Sequence, residues 1–248
     1  MMTTIQPDST TPAVDTQIPI VAVGGSAGGQ EAVTELLSRL PTTTGFAFVY
    51  IQHLSASHES HLTNILSRAT TMPVVEADNQ MPVQPNQVYI IPPNQEMEIQ
   101  EGRLMLMPRQ ELMHMPIDRF FISLSERQKA GAIAILLSGM ATDGTLGLKA
   151  IKVAGGITMA QDQTARYQTM PKAAISEGVV DLVLPPHAMA EELHRLSQRA
   201  ETLRLTTVGI GDDVNDPDSL LDDLDSLADP ELANGIDSEE ELGTIIKF

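Results

Sequence analysis

Ile18–Val23 is a continuous apolar run that ends on Gly24-Gly25-Ser26-Ala27-Gly28-Gly29, and a helical pattern begins where the glycines stop. A short run without polar alternation leaves neither face in water, so it reads as a strand buried on both sides. Behind it, Ala32, Val33, Leu36, Leu37 and Leu40 recur at three- and four-residue spacing before Pro41 ends the helix. Further strands are predicted at Phe46–Ile51, Val88–Ile91, Ala132–Leu137, Ile157–Ala160 and Val179–Leu184. Helices are predicted over His58–Ala69, from Pro116 to Gln128, from the turn at Gly144 to Val153, over Pro171–Ser176, and from Pro186 to Arg204. Met97–Gln100 and Arg103–Met107, joined by Glu101-Gly102, read as a β-hairpin. Buried strands alternating with amphipathic helices predict an α/β fold. It would be a doubly wound, mostly parallel sheet with helices on both faces and one antiparallel β-hairpin. Ligands in such sheets bind beyond the carboxyl ends of the strands, where the strand order reverses.

Three reactive side chains fall just after three of these strands: Ser26, His53 and Asp143. Their types suit a nucleophile, its general base and the acid that orients the base. Gly24-Gly25-Ser26-Ala27-Gly28 satisfies G-x-S-x-G, a turn whose small residues present a hydroxyl at the start of a helix. A phosphate-binding turn is the alternative. The dinucleotide fingerprint needs glycine where Ser26 stands, and no Gly-Lys-Ser/Thr follows for a P-loop. Singly, His53 also reads as a histidine satisfied by a backbone carbonyl, and Asp143 as a helix cap. Asp162, at another strand end, is the rival to Asp143, and Asp118 reads as a helix cap. The order Ser, His, Asp differs from the Ser, Asp, His of α/β-hydrolases. His58 and His61 lack a third ligand, so no metal is expected. His114, His187 and His194 read as surface or capping residues.

Charge divides the chain. Residues 201–248 hold 14 acids against Arg204 and Lys247, whereas the first 200 residues hold 19 acids against 13 bases, within a net charge of -18. No basic stripe is present to displace counterions, so no nucleic-acid partner is expected. The chain has no cysteine, which excludes a disulfide scaffold and thiol catalysis. It has neither an apolar run of about 18 residues nor a signal-peptide pattern, so no membrane insertion and a cytoplasmic location are expected.

The three motifs, Gly-Gly-Ser-Ala-Gly-Gly, Gln52-His53 and Ser138-Gly139-Met140-Ala141-Thr142-Asp143-Gly144, resemble the active-site motifs of the chemotaxis receptor methylesterases, CheB. Pro116-Ile117-Asp118, Gln161-Asp162 and Met170-Pro171-Lys172-Ala173-Ala174 extend the resemblance over Ile18 to Leu196. It implies hydrolysis of γ-glutamyl methyl esters on chemoreceptor helices, with deamidation of certain glutamines, and no cofactor. It assigns Ser26 as nucleophile, His53 as general base and acid, and Asp143 as orienting carboxylate. Ala27 and Met140 become the oxyanion-hole candidates. Ala27 stands where many members carry Thr, and Thr169 where a Gly often precedes Met-Pro.

Only about 17 residues precede the first strand, too few for the receiver domain usual in the family. The motif forms are similar to methylesterase domains fused, through an acidic linker, to a CheR-like methyltransferase. The expected organisation is therefore a flexible lead-in over 1–17, a catalytic domain over 18–204, and an acidic linker leading to a next domain over 205–248. A regulatory module within such a fusion, with little or no catalysis, is the alternative to an enzyme.

Overall fold

The computed structural model describes residues 18–52, 61–109 and 114–209, with side chains to residue 199. The chain divides into two compact units, Met1–Arg199 and Ala200–Phe248. The first apolar run becomes β1 (Ile20–Gly25), followed by α1 (Gly29–Arg39), β2 (Ala47–Gln52) and α2 (Leu62–Leu66). Next come β3 (Val74–Glu76), β4 (Met81–Pro82), β5 (Gln87–Ile90), β6 (Gln95–Gln100) and β7 (Arg103–Pro108). The remainder is α3 (Pro116–Gln128), β8 (Ile133–Leu136), α4 (Thr145–Val153), β9 (Ile157–Gln161), α5 (Thr169–Ser176), β10 (Leu182–Leu184) and α6 (Pro186–Gly209).

Seven strands form one sheet in the order β10-β9-β8-β1-β2-β5-β3, and every neighbouring pair is parallel. The central strands are buried on both faces, as their unbroken apolar composition requires. Side chains alternate between two cores. Val21, Val23, Phe48, Tyr50, Ile133 and Ile135 pack with α1, α2 and α6 residues. Ala22, Val49, Ile51, Ala134 and Leu136 face the other way, onto Phe120, Phe121, Leu148 and Met170 of α3, α4 and α5. The chain builds outward from β1 through β2, then returns to place β8 on the other side of β1. Gly24 stands opposite both Ile51 and Leu136, so the turns leaving β1, β2 and β8 open at the same edge. This reversal point is where a doubly wound sheet offers a binding crevice.

The expected hairpin forms, β6 pairing antiparallel with β7 around Glu101-Gly102, and it gains a strand. It forms a separate three-stranded antiparallel sheet, β4-β7-β6, because Met81 and Pro82 pair with Leu104 and Arg103. A two-residue strand has no alternation to read, and Pro82 is tolerated there because β4 is an edge. The edge strand β3 was likewise not anticipated, and its three residues are too few for a period. Within the expected helix over His58–Ala69, residues 58–60 lie outside the described residues and the helix proper is Leu62–Leu66. β10 starts at Leu182 rather than Val179, because the Val179 amide closes the end of α5 on the Ala174 carbonyl.

Candidate active site

β1 runs straight into Ser26. The Gly29 N–H donates to the Ser26 carbonyl at 2.9 Å, closing a four-residue turn into α1. Gly28 takes φ 72° in that turn, a left-handed conformation that a residue with a Cβ adopts only with strain. The Ser26 side of the turn is fastened to the loop after β8, since the Ser26 N–H donates to the Ser138 carbonyl at 3.0 Å. Ser138 is itself fully buried and acts as a joint. Its hydroxyl donates to the Ala27 carbonyl at 2.8 Å and accepts the Tyr167 N–H at 2.9 Å, while its amide donates to Gln161 Oε1 at 2.9 Å. The Gly139 N–H donates to the Tyr167 carbonyl at 2.9 Å, and the Gly139 carbonyl accepts the Met170 N–H at 3.1 Å. The ends of β1, β8 and β9 are thereby stitched into one rigid rim.

Beyond Gly139 the loop opens toward solvent. Met140 is 56% exposed, and Ala141 holds φ 67°, an unfavourable left-handed conformation for alanine. Two residues later Asp143 is fully buried. Its Oδ2 accepts the Ile117 N–H at 3.1 Å and its Oδ1 accepts the Asp118 N–H at 2.9 Å. These are first-turn amides of α3, so the carboxylate sits at the positive end of that helix. Pro116 at the start of α3 has no amide to orphan, as anticipated from its position. Gln52, the last residue of β2, lies in register with Gly25. His53 is the next residue in the chain and lies outside the described residues, as does His58.

The model of the family described as CheB methylesterase matches residues 21–193. The chain belongs to the CheB methylesterase family. It is 37% identical over 183 residues to a protein-glutamate methylesterase/protein-glutamine glutaminase of Carboxydothermus hydrogenoformans, covering 70% of this chain and 54% of that protein. A Burkholderia pseudomallei protein of the same name is 36% identical over 185 residues, covering 73% of this chain and 54% of its own length. The chain thus spans about half the length of these curated relatives. A Leptospira interrogans protein, provisionally named for the same activities, is 33% identical and is covered over 94% of its length by 72% of this chain. Among solved structures, the CheB methylesterase catalytic domain of Thermotoga maritima superimposes with a TM-score of 0.67 at 31% identity. The match covers 72% of this chain and 98% of that one.

Within this CheB-family fold, several residues outside the expected site shape it. Asp118, expected to cap a helix, does so for α4 rather than for its own helix: its Oδ1 accepts the Gly147 N–H at 2.7 Å. Burial, and next to it the charge of Asp143, pushes the Asp118 carboxyl up to about 6 against the pull of its amide donors. Tyr50 is buried beneath the Ser26 turn, and its hydroxyl has no partner among the described residues; burial raises the phenol further out of the titrating range. Asp162, the rival acid, is spent locally on Thr164, accepting its N–H at 3.0 Å and its hydroxyl at 2.6 Å. His114 is half-buried, with its Nδ1 3.6 Å from Glu96 Oε1, beside the pair that buried Glu96 makes with half-buried Arg119. A groove of about 500 Å³ between β6, α3 and α4 is lined by Met115, Asp118, Arg119, Ile122, Glu126 and Leu146. Among the described residues no cluster of His, Asp and Glu is arranged to hold a metal, and no helix is long and apolar enough to cross a membrane.

Proposed function

We propose that this chain is a protein-glutamate methylesterase that hydrolyses γ-glutamyl methyl esters on chemoreceptor helices in sensory adaptation. Ser26 is its nucleophile, His53 its general base and acid, and Asp143 the orienting carboxylate. The observation that carries the reading is the pairing of two rigid strand-end turns: Ser26 is tied to Ser138, and five residues on the buried Asp143 is anchored to α3. Ser26 Oγ attacks the ester carbonyl as its proton passes to His53. The tetrahedral oxyanion collapses, His53 returns the proton to the leaving methoxide, and methanol departs. Water then attacks the glutamyl-serine ester, giving its proton to His53, and the carboxylate leaves as Ser26 regains its hydroxyl proton. Applied to a glutamine side chain, the same cycle releases ammonia and accounts for deamidation.

The oxyanion donors in this reading are the backbone N–H groups of Ala27 and Met140. The neighbouring amides of Ser26 and Gly139 already donate to the Ser138 and Tyr167 carbonyls, which supports the assignment by elimination. We further read residues 18–204 as the catalytic domain of a cytoplasmic protein, preceded by a lead-in over 1–17. Residues 205–248 are read as an acidic linker toward a methyltransferase domain.

The deciding measurement is methanol release from methylated receptor by the purified chain and by Ser26→Ala. Wild type should release methanol, and the variant should fall by about a thousandfold or more while unfolding at the same temperature. Equal release by both would remove Ser26 as nucleophile. Release by neither, from the cognate receptor, would favour the regulatory module.

A further inference from the structure

We propose that Asp118 is a positioning residue for hydrolysis, which holds Asp143 in place by tying the first turn of α4 to the first turn of α3. The inference rests on the reading of Asp143 as the acid that orients His53, and adds to it a second carboxylate that touches no reacting atom.

Neither helix caps itself. Met115 and Gly144 occupy the N-cap positions of α3 and α4, and neither supplies a side-chain hydrogen bond. Each helix instead borrows a carboxylate from the other. Asp143, two residues ahead of α4, accepts the Ile117 and Asp118 amides of α3, and Asp118 of α3 accepts the Gly147 amide of α4 at 2.7 Å. The exchange forms a closed loop of hydrogen bonds through Asp118, whose amide holds Asp143 and whose side chain holds the helix that Asp143 precedes.

Such a brace has a purpose at this place. The loop carrying Asp143 emerges from the fixed rim at Gly139 through three exposed residues, Met140, Ala141 and Thr142, one of them in a left-handed conformation. Nothing in that exposed stretch sets the depth of the Asp143 carboxylate. The α3 amides set it from one side, and the position of α4, fixed by Asp118, sets it from the other. A carboxylate that must keep an imidazole in one tautomer and orientation loses its effect when displaced by an ångström or less.

The brace also carries charge. Asp143 faces Asp118 from the loop before α4, and Arg119, next to Asp118 on α3, is committed to Glu96 at 2.8 Å and Glu98 at 2.8 Å on β6. Glu126 of α3 lines the same groove, and His114 lies against Glu96. Among the described residues no cation pairs with Asp118, so it keeps its charge through amide donors alone, and burial pushes its carboxyl up to about 6. Protonation weakens it as an acceptor for the amides of α4.

The test is the steady-state release of methanol from methylated receptor by the full chain as wild type, Asp118→Asn, Asp143→Asn and the double variant. Asp118→Asn should lower kcat by about tenfold or more and leave KM within about twofold. The double variant should be no slower than Asp143→Asn alone, because a residue acting through Asp143 has nothing left to act on. Wild-type kcat in Asp118→Asn, or a double variant that loses the product of both single effects, overturns the proposal. Unimpaired Asp143→Asn instead removes the orienting acid itself, and this proposal with it. Should Asp118→Asn not fold, Asp118→Glu, which displaces the carboxylate along the same helix face, takes its place in the cycle. It should lower kcat with KM little changed and add nothing to Asp143→Asn, and wild-type kcat or a multiplicative loss overturns the brace.

Discussion

At the residue scale, position 139 has no room for a side chain. A Cβ there would lie 2.4 Å from Met170 Cε, 2.8 Å from Met170 Sδ and 3.0 Å from Ser26 Cβ. Met170 is fully buried and cannot swing into solvent, so the strain is shared with Ser26. Gly139→Ala should therefore lower kcat by about tenfold or more and destabilise the fold by about 1–3 kcal/mol. Methanol release and urea unfolding check the two effects, and unchanged kcat would mean that Met170 absorbs the whole collision. The close approach explains in part why the reactive residues are readable from sequence. Ser26 and Asp143 stand among small residues because the turns that present them are crowded, and such clusters stand out at strand ends. Asp118 is only half legible. Its position in a first turn marks a cap, but the helix it caps begins 27 residues later, and no local pattern reports that reach. Tyr50 reads as one more apolar position of β2, and only packing reveals a hydroxyl that has no partner among the described residues beneath the Ser26 turn.

At the scale of elements, long apolar periods were legible and short edges were not. β1, β2 and β8 follow from continuous burial, and α1 from its spacing, because each pattern repeats often enough to exceed chance. β3 and β4 are held by neighbours rather than by their own sequence. Met81 and Pro82 become a strand only because β7 presents its edge to them. The β6–β7 turn was legible from Glu101-Gly102, and its geometry shows what that pair costs. Both residues have positive φ, 47° and 73°, the requirement of a type I′ turn. Gly102 adopts it without strain, whereas Glu101 does not. Glu101→Asn should stabilise the protein by about 0.5–1 kcal/mol, raising the unfolding midpoint by about 2 °C for a domain of this size. A midpoint that stays level or drops in a thermal melt would show that Glu101 makes compensating contacts.

At the scale of the whole molecule, the net charge of -18 is concentrated in residues 201–248, so the charge that matters for the fold is set by a few hydrogen-bonded carboxylates rather than by the total. Asp118 and Asp181 act in opposite directions. Burial raises Asp181, but hydrogen bonds from Lys152 and Thr158 outweigh it and hold its carboxyl below the ordinary value, so the stability it lends at neutral pH is lost in acid. For Asp118 burial wins, and the carboxyl rises from 3.8 to about 6. Between these values the native state binds more protons than the unfolded chain, so this group's contribution to stability falls as pH rises from about 4 to about 6. A rise of that size corresponds to a change of about 3 kcal/mol at most. Subtracting Asp118→Asn from wild type cancels Asp181, the acidic segment and the general self-repulsion, and leaves Asp118 alone. The unfolding free energy of wild type minus variant, from urea titrations, should be larger at pH 4 than at pH 7 by about 2–3 kcal/mol. A difference that does not move with pH would mean that the carboxyl titrates normally and carries no buried charge at neutral pH. Activity should run the other way over the same interval, because the charged form that costs stability is the form that braces Asp143.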